Sequence, residues 1–113
     1  MVEDISNTSI VYQQEAYRAL GGIIERTLQE NLPVISWMLG DGGVGPLLVG
    51  ECHAADPIKR QEDFYTWQAA IGAEAWPNGI KRMGGVHLHA STKDYDGVAV
   101  TLSADISAEE LDA

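Results

Sequence analysis

The sequence predicts an α+β fold: helix, two strands, helix, two strands and a short terminal helix. It is expected to form a four-stranded antiparallel sheet, with both long helices packed on one face. Three observations predict this. Apolar residues recur at helical spacing before residue 31 and again between Ile58 and Ile71. Two pairs of apolar runs lie between and after those helices. The connections within each pair are short, which favours antiparallel hairpins. At 113 residues the chain is one domain, spanning 1–113.

Residues 1–8 are polar and expected to form a loose tail. Thr8 or Ser9 can cap a helix running to about Asn31, with Tyr17, Leu20, Ile24 and Leu28 as its buried stripe. Gly21-Gly22 interrupts it at a cost of roughly 1 kcal/mol each against Ala, which suggests close packing on a strand or a twin helix. Pro33 ends the helix, because the residue before proline is steered out of the α region.

Val34 to Leu39 reads as a strand that is apolar on both faces. Pro46 to Cys52 returns as a second strand. Between them, residues 40–45 satisfy G-x-G-x-x-G, but a strand follows where the dinucleotide fingerprint needs a helix. Asp56-Pro57 is a sharp helix start, and Phe64, Trp67 and Ile71 make the inner stripe before Gly72 stops the helix. Trp76-Pro77-Asn78-Gly79 is a turn. Ser107 and Glu110 have capping-box spacing for a short last helix.

The second strand pair, 85–91 and 98–103, is expected to set its own register. Val86, Leu88 and Ala90 alternate with His87, His89 and Ser91. A three-residue loop, Tyr95-Asp96-Gly97, with a bulge at Gly97, pairs Ala90 with Leu102 and Leu88 with Ala104. It sets His89 opposite Ser103 and His87 opposite Asp105, with His87 donating to the carboxylate.

The net charge of −10 and pI of about 4.4 oppose binding to nucleic acid and to anionic membranes. They favour solubility, or a basic protein partner. One cysteine excludes an internal disulfide and suits the cytoplasm. The acidic start is unlike a signal peptide, and no run is long enough to span a bilayer.

His87 and His89 could supply two metal ligands, or with Asp105 a catalytic face. The alternation resembles that of histidine-triad proteins, but Ser91 stands at the third position. Glu51, Cys52 and His53 are the other candidates for a third ligand; Cys52 and His53 point to opposite faces, so they make a poor nucleophile–base couple. No cofactor is implied.

The two-faced hairpin instead suggests an interface. Ile35, Trp37 and Leu39, or else Val34 and Met38, need cover from a second copy, and Trp76 could join a partner site. In element order and low pI the chain is similar to small acidic secretion chaperones, a resemblance that implies a dimer holding partner segments. The expectation is a non-enzymatic, cytoplasmic partner-binding homodimer. The alternatives are a small metal-binding protein or hydrolase using His87, His89 and Asp105, and an acidic mimic of nucleic acid that inhibits a basic protein.

Overall fold

A computed structural model describes residues 5–41, 45–75, 80–82 and 84–111. Helix α1 covers Ile5–Gln29, strands β1 and β2 cover Ser36–Asp41 and Pro46–Cys52, and α2 covers Pro57–Ile71. Short strands β3 (Glu74–Ala75) and β4 (Ile80–Arg82) precede the long hairpin of β5 (Gly85–Tyr95) and β6 (Val98–Ser107). Helix α3 covers Ala108–Leu111.

The class is mixed α and β, as expected, but the sheet is not four antiparallel strands. Its order is β1-β2-β6-β5-β3, with β4 also pairing with β5. β3 and β4 occupy successive stretches of that β5 edge. β2 runs parallel to β6. Short turns dictate antiparallel pairing inside each hairpin; they do not dictate how the hairpins join. β6 has the longest regular apolar row, Val98, Val100, Leu102, Ala104 and Ile106, all buried. It takes the middle of the sheet, and α2 with the strands after it supplies the long crossover that parallel neighbours require.

The predicted β5–β6 register is present: Leu88↔Ala104, Ala90↔Leu102, His87↔Asp105 and His89↔Ser103. The turn that produces it differs from expectation. Tyr95 pairs with Val98, so Asp96-Gly97 is a two-residue loop, with φ of 55° and 83°. The extra residue is absorbed by an irregularity between Thr92 and Tyr95 instead.

Helix α2 forms as predicted. The Asp56 carboxylate accepts from the Ile58 N–H at 3.0 Å, and Gly72 closes the helix in the left-handed region. Phe64, Trp67 and Ile71 are buried. Trp67 meets Trp37 edge-on at 5.2 Å between ring centres and donates its indole N–H to the Pro33 carbonyl at 2.8 Å. That pair fastens α2 to the chain entering β1.

Helix α1 departs most from expectation. It begins upstream of the predicted cap, so residues 5–8 are helical. Its inner stripe is Ala16, Ala19 and Ile23. Of the predicted stripe only Leu20 is partly buried; Tyr17, Ile24 and Leu28 face outward at 69%, 53% and 81% exposure. Small alanines let the helix lie close over β1 and β2, and larger side chains would hold it off. Gly21 and Gly22 pack on no strand, since a Cβ at either would meet nothing within 4 Å.

Arg26 locks the far end of α1. It bonds Glu30 at 2.5 Å, the Ala70 carbonyl at 2.8 Å and the Tyr95 hydroxyl at 3.0 Å. One guanidinium thus joins α1, α2 and the tip of the β5–β6 hairpin. At the other end Arg60 of α2 forks onto both Glu110 oxygens at 2.8 and 2.9 Å and bonds the Ala54 and Asp105 carbonyls. Lys59 binds the buried Asp63 carboxylate. Lys59 and Arg60 thus both hold carboxylates within the fold.

Two glycines test this account by opposite signs. Gly85 has φ of 138°, and a Cβ there would lie 1.9 Å from the Ile106 carbonyl oxygen. Gly85→Ala is expected to destabilise by about 2 kcal/mol or more in urea unfolding. Gly22→Ala, which meets nothing, should instead stabilise by about 1 kcal/mol.

Candidate functional site

Two surfaces carry candidate chemistry. The first is the sheet face turned away from the helices. Alternation along β5 and β6 puts His87, His89 and Ser91 there beside Asp105, Ser103 and Thr101. His87 Nδ1 lies 2.6 Å from an Asp105 carboxylate oxygen. The carboxylate fixes the ring's orientation and leaves Nε2 pointing away from it. The His89 ring centre is 5.8 Å from that of His87. Partial burial, helped by the neighbouring imidazole, lowers the His89 pKa below its ordinary value.

The remaining candidates do not converge on this pair. Glu51 lies opposite Ser103, which separates it from the His89 strand by the full width of β6. Cys52 faces the helices and is buried. Burial, with the nearby Asp63 charge, pushes its thiol up to about 12, so it is no nucleophile at neutral pH. His53 is exposed beyond the end of β2. Glu51, His53, Arg60 and Asp105 do share an open recess of about 220 Å³ with Cys52. Among the described residues, no three His, Cys, Asp or Glu side chains gather closely enough to hold a metal ion. Trp76 and loop residues 42–44 lie outside the described residues.

The second surface is apolar. A groove of about 530 Å³ runs between α1 and the chain entering β1, lined by Leu20, Ile24, Leu28, Val34, Ile35 and Trp37. Ile35 is 6% exposed and belongs to the core, while Trp37 and Leu39 pack partly buried against it. Trp37 lies over Gly50, where a Cβ would come within 2.8 Å of its ring. Val34 is 82% and Met38 60% exposed. Of the two rows considered in the first hairpin, α1 covers Ile35, Trp37 and Leu39 and leaves Val34 and Met38 outside. What sequence reading missed is the exposed stripe on α1; the recurrence of Ile10, Tyr17 and Ile24 at seven-residue intervals was the available signal.

No protein-family model, curated protein or solved structure matches the chain. No described helix is long and apolar enough to cross a membrane.

Two titrations check the electrostatics. His89 should titrate below the ordinary histidine value in an NMR pH series, because burial penalises its charged form; a midpoint at or above 6.5 would contradict its placement. Glu110 is held down to about 2, first by Arg60 and then by the Ser107 N–H. A carboxylate depressed in the fold contributes stability above its ordinary value of 4.5, and that contribution is lost as pH falls toward 2. Urea midpoints between pH 5 and pH 3 should therefore fall less steeply for Glu110→Gln than for the natural chain.

Proposed function

We propose that this chain is a small acidic, non-enzymatic protein that binds other proteins and works as a homodimer, in the manner of an adaptor or chaperone. The observation that supports this reading is the continuous apolar surface around the groove. Single exposed apolar residues are ordinary on any protein. Here Ile24, Leu28 and Val34 stand together, all more than half exposed, and Trp37 reaches the same groove. A contiguous patch of that kind suits an interface.

The charge of −10 indicates the kind of protein that would be held beyond the twin subunit. Basic segments are attracted, and phosphate backbones and anionic membranes are repelled. The single cysteine, buried and with a raised pKa, suits a reducing compartment such as the cytoplasm. His87, His89 and Asp105 are read as a hydrogen-bonded polar face that closes the β5–β6 ladder.

Light scattering across the micromolar range tests the reading. The expected mass is twice that of the 12.2 kDa chain, falling toward the single-chain value on dilution. A mass of one chain at every concentration would overturn it.

A further inference from the structure

Resting on the homodimer reading, we propose that two copies of this chain join through an antiparallel pair of α1 helices that cross at Gly21. Ile10, Tyr17 and Ile24 stand seven residues apart, and Gly21 and Leu28 each follow by four. On an α-helix these positions make one seam. All five are exposed. The chain's own packing gives no reason for glycine at 21, because a Cβ there meets nothing, and glycine weakens a helix interior. Close approach of a second helix supplies the reason.

The seam is self-complementary in one arrangement. With a two-fold axis between residues 21 and 22, the side chains interleave at steps of about 3 Å along the axis. The order is the partner's Leu28, then Tyr17, the partner's Ile24, and Gly21 against the partner's Gly21, followed by the mirrored sequence. The two glycines meet at the crossing, where the backbones come nearest. Each large residue falls between two from the other copy.

Charge selects the same arrangement. Arg18 and Glu25 flank the seam on one side, both exposed, and neither makes an ion pair among the described residues. A two-fold axis perpendicular to antiparallel helices turns equal flanks toward each other. It sets Arg18 level with the partner's Glu25, twice. A parallel pair would instead turn unequal flanks toward each other and leave Arg18 and Glu25 unmatched across the seam.

The first turns of α1 also gain a role. Between Ser9 and Glu15 no residue is buried. The molecule extends 59 Å along its longest axis, with a radius of gyration of 15.5 Å where a chain of this length averages about 13 Å. In the antiparallel pair Ile10 lies about 6 Å past the partner's Gln29, the last residue of α1, at the end from which the chain runs on to Val34 and the groove. Each copy thus lays its projecting helix end over the other's open apolar surface.

Charge exchange tests the geometry by sedimentation equilibrium. Arg18→Glu and Glu25→Arg should each weaken the dimer about tenfold or more, and the double variant should return to within about threefold of the natural chain. Gly21→Cys should give a disulfide-linked dimer on mild oxidation, reversed by dithiothreitol, because the two sites meet at the axis. Ile10→Cys should not, because its copies lie about 35 Å apart. A dimer that ignores both charge changes and does not crosslink at 21 overturns this interface and leaves the homodimer reading in place. A natural chain that is monomeric throughout overturns both.

Discussion

The row Val98, Val100, Leu102, Ala104 and Ile106 imposes the constraint on which the other elements depend. Five alternating apolar side chains on a central strand must be kept from water on one face, and only helices are available to do so. α2 covers the β6–β5 side with Phe64 and Trp67. α1 must then lie over β1 and β2, where the sheet rises toward it through Ile35, Trp37 and Leu39. Two large rings already fill that layer, so the helix presents alanines to it. Arg26 and Arg60 fix the two helices at opposite ends, each through bonds that join separate elements.

How much of this is legible in sequence differs by element. The β5–β6 pairing could be read because period two admits only two registers, and one of them mixes the faces. The means of reaching it could not, since a bulge at Thr92–Tyr95 and a bulged turn at Gly97 shift the strands equally. α2 could be read at both ends because Asp56-Pro57 and Gly72 act locally. The buried α1 stripe is not legible, because bulk in a side chain is no measure of its burial. Tyr17, Ile24 and Leu28 outrank Ala16 and Ala19 on any transfer scale, yet closeness to a sheet favours the smaller residue. The parallel join of the hairpins is a tertiary choice with no local signature.

The same distinction separates the two candidate surfaces. The histidine face was readable from alternation, and the structure brings His87 to Asp105 as the register required. Alternation says nothing about a third ligand two strands away, and there the candidates stay apart. The apolar surface emerges only once α1 is docked, because the side on which a helix seats itself decides which of its two stripes becomes surface.

The position of β1 at the border of the sheet has a consequence of its own. A border strand keeps one row of peptide groups unclaimed by its sheet, and Ser36–Asp41 carries no lysine or proline to discourage strangers. What guards it is long-range repulsion between whole molecules carrying ten excess negative charges. Acidification toward pH 4.4 removes that shield, while the clasp between Arg60 and Glu110, whose carboxylate is held down to about 2, stays closed. The chain is therefore most exposed to strand-to-strand clumping near its isoelectric point, while that end of the fold is still held together.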